Sequence, residues 1–213
     1  MEKVNKKLAF FCVIYNILII SNNIINHYSN NMTYKTVLES ETTITELMIP
    51  SYANFGGKVH GGILLSMMDK VAYVCATKHS GAYCVTVAVE GVEFLTPVEV
   101  GELVSLKASV NYVGNSTMIV GIRVESLNPK TGVMRHSNSC YFTMAAKNEE
   151  NQLIEVPGLR IENQEQLRRF NEGKKLKEFS IKKRELLKSD LSGFSFTDLI
   201  QQCDGEKVDI TLL

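Results

Sequence analysis

Asn54-Phe55-Gly56-Gly57-Lys58-Val59-His60-Gly61-Gly62-Ile63-Leu64-Leu65-Ser66-Met67-Met68-Asp69 is the stretch on which the reading of this chain turns. Gly61 and Gly62 open an apolar run at helical spacing, and an acid stands seven residues past the second glycine. Seven residues make about two helical turns, so Gly62 and Asp69 share a face about 10 Å apart along the axis. First-turn N–H groups at a glycine-rich helix start can meet a developing negative charge. A carboxylate two turns on, among Leu, Met and Val, is poorly solvated and able to act on water or on a carbonyl carbon. The arrangement suits hydrolysis of an activated acyl group. Plainer readings stand beside it: Asp69 as a solvated acid next to Lys70, and Gly61-Gly62 as a loose helix start.

Around this stretch the chain reads as α+β. Gly61–Lys78 is apolar nearly all round (Ile63, Leu64, Met67, Met68, Val71, Ala72, Val74, Cys75), the pattern of a buried helix. Lys78, His79 and Gly81 mark its end. Before it, Thr36–Ile49 has strand composition up to Pro50, and Ser51–Val59 is a Gly-rich loop. After it come four β-type runs, Cys84–Leu95, Leu103–Val113, Thr117–Leu127 and His136–Ala146, joined by turns at Gly114-Asn115-Ser116 and Asn128–Gly132. Five strands and one early helix predict a mostly antiparallel sheet wrapped around a single central helix. Residues 163–188 read as a second, charged helix on the outside. The division expected is a leader over 1–31, a main domain over 32–155, a charged helical segment over 156–188 and a weakly ordered tail over 189–213.

The chain has 213 residues and no net charge, which hides an asymmetry. Residues 160–188 carry ten Lys or Arg against five Glu, while 32–159 carry nine against twelve acids. The default reading of such a basic segment is a solvated helix face; attraction of a polyanionic ligand is the alternative. Five cysteines (Cys12, Cys75, Cys84, Cys140, Cys203) lack CxxC or metal-ligand spacing, which points to a reduced, cytoplasmic protein without structural zinc. In the leader, Lys3, Lys6 and Lys7 precede the apolar run Leu8–Ile20, the order of a signal peptide or anchor. The run is short for a span, and twenty of the first 31 residues are Phe, Tyr, Asn, Ile or Lys, types encoded by AT-rich codons. Translation starting at Met32 is therefore the expectation, with a genuine anchor as its rival.

Further candidates are weaker. Asn54 reads as a turn former or as an amide that polarises a carbonyl or holds water. His60 reads as a cap or as a general acid/base. Gly114-Asn115-Ser116-Thr117 reads as a hairpin turn or as a backbone phosphate cradle.

Val59-His-Gly-Gly-Ile-Leu-Leu-Ser-Met-Met-Asp69, followed by Val85-Thr-Val-Ala-Val-Glu-Gly-Val-Glu-Phe94 and Pro97-Val-Glu-Val-Gly-Glu102, resembles the hotdog-fold acyl-CoA thioesterases, the brain-type hydrolase and its single-domain bacterial counterparts in particular. The likeness runs from about Glu39 to Lys147 and continues into Val156–Lys188. It implies a helix wrapped by an antiparallel sheet, with domains paired edge to edge and active sites at the pair's interface. The family's catalytic acid falls on Asp69 and its catalytic asparagine on Asn54. His60, Gly61 and Gly62 match the segment that positions the substrate and its oxyanion. Val85, Thr86 and Val87 match the strand lining the acyl and pantetheine channel, and Gly114, Asn115 and Ser116 join them as candidate substrate contacts. The resemblance implies hydrolysis of acyl-CoA with no metal or prosthetic group, CoA entering as part of the substrate. A homodimer or a trimer of dimers is implied, with Asn54 and Asp69 of one site coming from different subunits. Nucleic acid is not an expected partner, nor a membrane unless the leader is retained. Two rivals remain: hydration or dehydration of an acyl thioester, with His60 partnering Asp69, and non-catalytic acyl-CoA binding.

Overall fold

The computed structural model describes residues 33–192, 195–201, 203, 205–208 and 211. The leader lies outside them. Capping chemistry breaks the first strand-like run. Thr36 Oγ1 accepts the Glu39 N–H while Glu39 Oε1 accepts the Thr36 N–H, a reciprocal capping box. Between β1 (Tyr34–Thr36) and β2 (Thr42–Leu47) the chain therefore turns through a short helix, α1 (Val37–Ser40). The single strand expected over Thr36–Ile49 is thus corrected to a helix and a shorter strand. Ser40, fully buried, donates to Val37 O and accepts the Val110 N–H.

The central helix, α2 (Gly61–Ser80), ends at Gly81, whose φ of +71° is the left-handed C-cap conformation glycine adopts freely. It packs on one face of a five-stranded antiparallel sheet built from β2, β3 (Tyr83–Phe94), β4 (Leu103–Val113), β5 (Thr117–Leu127) and β6 (Met134–Lys147), in the order β2-β4-β5-β6-β3. Met68, Val71, Ala72 and Cys75 from the helix meet Leu106, Val110, Val120, Phe142 and Met144, the alternate residues that the strands turn inward. Burial pushes the Cys75 and Cys140 thiols up to about 12, so both stay protonated and act as small core hydrophobes. The α+β sheet-around-a-helix layout is the one expected.

One expectation about α2 needs correcting. Leu65, Tyr73 and Val74 are exposed, so one flank of the helix is open rather than buried. The open flank is the one beside β3, which is the last strand of the sheet. That strand pairs with β6 alone, through two bulges, one between Thr86 and Ala88 and one between Glu90 and Glu93. Its other edge presents an unpaired ladder with Val87 and Val89 exposed.

A short β7 (Gly158–Arg160) lies parallel to β1 and leads into α3 (Gln164–Ser192), which crosses the sheet face opposite α2. Phe170 stacks on Tyr112 at 5.2 Å between ring centroids, and Lys177 Nζ lies 5.4 Å from the same ring centroid. Gly173 lets the helix backbone approach β4; a Cβ there would stand 2.8 Å from Tyr112 Cβ. Gly173→Leu is therefore expected to lift α3 from the sheet and cost about 1–3 kcal/mol, read as a lower Tm. A final short helix, α4 (Phe196–Gln201), lies within the expected tail.

His79, at the end of α2, is fully buried, with Nε2 2.9 Å from Pro157 O and no partner for Nδ1 among the described residues. Burial lowers its pKa below the usual 6.5, with nearby Lys35 acting in the same direction and the Pro157 carbonyl and Glu39 opposing. The unfolded chain thus takes up the proton first. Its contribution to stability is complete above pH 6.5 and falls as the pH drops below it. Melting from about pH 5 to pH 8 should show this slope, and His79→Gln should flatten it.

Candidate active site

Asp69 projects from the open flank of α2 toward β3. Its Oδ1 accepts a hydrogen bond from Thr86 Oγ1 at 2.5 Å. The same hydroxyl lies 3.5 Å from Met144 Sδ, so Thr86 sits at the junction of a polar pair and the core. The poorly solvated carboxylate expected from the sequence is not what a single protomer presents. Asp69 is exposed, because no strand follows β3 to cover it. Leu65 and Tyr73 flank it on α2, and Val87 and Val89 stand on the strand opposite, all of them exposed. A carboxylate set in an open apolar surface becomes desolvated once that surface is covered.

His60 is the N-cap of α2. Its Nδ1 accepts the Gly62 N–H at 2.9 Å, and its carbonyl accepts the Ile63 N–H. The Gly62 amide, expected to face an oxyanion, is therefore engaged by the imidazole. Among the described residues, the first-turn N–H left without such a bond is that of Gly61. The Phe94 ring from the far end of β3 closes over Gly61, and a Cβ there would come within 3.2 Å of it.

Asn54 lies in an exposed tight loop closed by the Ala53–Val59 bridge. Its side-chain oxygen accepts the N–H groups of Gly56 and Lys58, and its own N–H bonds to Lys58 O. These bonds hold the loop, and the structure does not bring Asn54 to Asp69 within one protomer. Val85 and Val87 flank Thr86 on β3, but Val85 turns to the outer face beside Ala145, away from Asp69 and from the channel that the resemblance implied for it, and Val87 is carried on the bulge. Gly114, Asn115 and Ser116 form the β4–β5 turn, with β6 standing between them and β3. Asn115 O accepts the Val156 N–H and Ser116 O the Ala146 N–H, the work of a structural turn.

The basic segment is also placed. A cavity of about 340 Å³ lined by Lys107, Arg123, Arg168 and Arg169 lies on the outer face of the sheet, away from Asp69. Its cations are paired with Glu125 and Glu165. Among the described residues no His, Cys, Asp and Glu side chains converge as a metal site, and no helix is long and apolar enough to cross a membrane. The partner that sequence alone did not assign to Asp69 is Thr86, a hydroxyl in an otherwise Val-rich strand.

A helix wrapped by an antiparallel sheet, with an acid on the helix flank beside the edge strand, has the architecture of the hotdog fold. The thioesterase superfamily matches residues 56–133. Protein VdlD of Helicobacter pylori is 40% identical over 153 residues, covering 72% of this chain and 86% of that protein. An apo-hexameric acyl-CoA thioesterase superposes with a TM-score of 0.71 at 29% identity, over 73% of this chain and 99% of that one. The acyl-CoA hydrolase of Staphylococcus aureus, solved with butyryl-CoA and CoA, superposes at 0.69 and 25% identity, over 74% and 96%. That enzyme has also been solved with alanine replacing an asparagine, an aspartate fifteen residues later and a threonine seventeen residues after that. The chain belongs to the thioesterase superfamily, among the hotdog-fold acyl-CoA thioesterases.

Proposed function

We propose that this protein hydrolyses acyl-CoA to a free carboxylic acid and CoA, with Asp69 as the group that starts the reaction. The observation that carries the reading is the Asp69–Thr86 pair on the open flank of α2, beside the free edge of β3. Asn54, Asp69 and Thr86 stand at the same two intervals, fifteen and seventeen residues, as the three positions replaced by alanine in the S. aureus enzyme. With Oδ1 held by Thr86, Oδ2 of Asp69 is free to take a proton from water or to attack the thioester carbon. Water adds to the carbonyl, the C–S bond breaks, and the thiolate of CoA leaves and is protonated. A thiolate leaves readily, so no strong general acid is required, and the chemistry calls for no cofactor.

The amide of Gly61 is the donor we assign to the oxyanion, in place of Gly62. A second copy paired along β3 would cover the open flank and supply its own Asn54, giving two equivalent sites per dimer. The unpaired edge of β3 and the hexameric state of a similar thioesterase support this assembly. We assign the protein to the cytoplasm and to fatty acyl-CoA metabolism. Thiol release measured across acyl-CoA chain lengths tests the activity. Release from none of them, or turnover of an enoyl-CoA without thiol release, would overturn it.

A further inference from the structure

The outer helix reaches beyond the sheet that it covers. Along α3, Phe170 and Gly173 lie on Tyr112 of β4, Lys177 Nζ reaches Thr117 Oγ1 at the start of β5, and Ser180 Oγ donates to Glu90 Oε1 of β3 at 2.8 Å. The helix thus travels from the middle of the sheet to its free edge, and Ser180 stands on the last strand. Every residue from Ile181 to Lys188 is exposed. From Ser180 to Ser192 the helix rises about 18 Å, the width of three or more strands at roughly 4.8 Å each. Its own sheet has no strand there to lie on.

The overhang is built like a continuation of the seated part. Residues 170, 173, 177 and 180 repeat at alternating intervals of three and four, and the same stripe next passes through Arg184 and Leu187. Leu187 is 54% exposed, and Ile181, the residue after Ser180, 43%. Lys182, Lys183, Arg184 and Lys188 outnumber two acids, Glu185 and Asp190, within the overhang, whereas β3 carries Glu90 and Glu93. A sheet extended across the β3 edge by a second copy would place that copy's β3, with its two acids, beneath this basic arm.

We propose that residues 181–192 of α3 are a clasp that lies on the outer sheet face of a second copy of this chain, each copy clasping the other. The occupant is a second copy because the overhang begins at the edge where a second sheet would join and its charge complements β3. The inference rests on the edge-to-edge assembly under Proposed function and adds to it a contact on the face opposite the active site. A two-fold axis makes the two arms run antiparallel across the shared sheet, so the contact is formed twice per dimer.

The test places a photo-crosslinking amino acid at position 187 of the full-length chain, in a mixture of isotopically light and heavy protein, with the mass measured by sedimentation. The expected result is a dimer or larger assembly whose crosslinks join light to heavy chains, from position 187 to residues of β3, β6 or α3. Leu187→Asp, and separately a chain ending at Ser180, are each expected to raise the dimer dissociation constant about tenfold or more, the scale of one buried apolar side chain. An assembled protein whose crosslinks stay within one chain, onto its own residues 193–213, or form only with added anionic vesicles, overturns the clasp and leaves the edge pairing intact. A monomer overturns both.

Discussion

Asp69→Ala is expected to lower kcat for acyl-CoA hydrolysis by ~10² or more, the usual contribution of a positioned general base. The fold should tolerate it. Asp69 is exposed, and the alanine removes one bond, from a hydroxyl that keeps Met144 Sδ as a neighbour. Asp69→Asn separates charge from shape: the amide oxygen can still accept from Thr86, yet it can take no proton from water. Both variants should lose kcat with little change in KM, the signature of a group that acts in the transition state rather than in binding. Thr86→Val should cost less, since it frees the carboxylate without abolishing it. Full thiol release by Asp69→Ala would falsify the assignment.

Arg135→Leu is expected to destabilise the protein by about 2–3 kcal/mol, with Tm as the readout. Glu102 is almost wholly buried at the foot of β4. Its Oε1 is held by Arg135 from the start of β6, and its Oε2 accepts the Glu99 N–H. Removing the guanidinium leaves a buried carboxylate with one remaining bond. Arg135 itself is about a third exposed, which holds the loss below the full cost of breaking a buried pair. Replacing both residues with Leu should recover part of the loss, because the uncompensated charge then disappears. A double variant no more stable than Arg135→Leu would show that the pair positions the 97–102 loop instead.

The parts of this structure that were legible in the sequence are those where local chemistry and burial agree. The central helix announces itself by its apolar spacing and by the Gly81 end signal, and β4, β5 and β6 by alternation and turns. The short helix at Val37–Ser40 is hidden because it is brief and lies within a run of strand composition, and only the Thr36/Glu39 box reveals it. The solvation of Asp69 could not be read from its neighbours along the helix. It depends on which strand ends the sheet, a property of the order β2-β4-β5-β6-β3 that periodicity does not encode. Thr86 escaped pairing with Asp69 for the same reason: their contact depends on how α2 lies against the edge strand. His60 could be read as a cap or as a catalyst, and its bond to the Gly62 amide makes it the cap.

The strand order also governs how the molecule comes together in time. The β4–β5 and β5–β6 hairpins join neighbours in the chain, whereas β2 must wait for β4, and β3 must wait for a strand whose far end, Lys147, lies sixty-four residues beyond Tyr83. Loop-closure entropy makes such a distant pairing slow. The nascent chain therefore carries α2 and β3 from the ribosome before anything exists for that strand to zip onto. The step that seats Thr86 is therefore expected to come late, so Thr86→Val should raise the unfolding rate more than it lowers the folding rate, as stopped-flow kinetics would read.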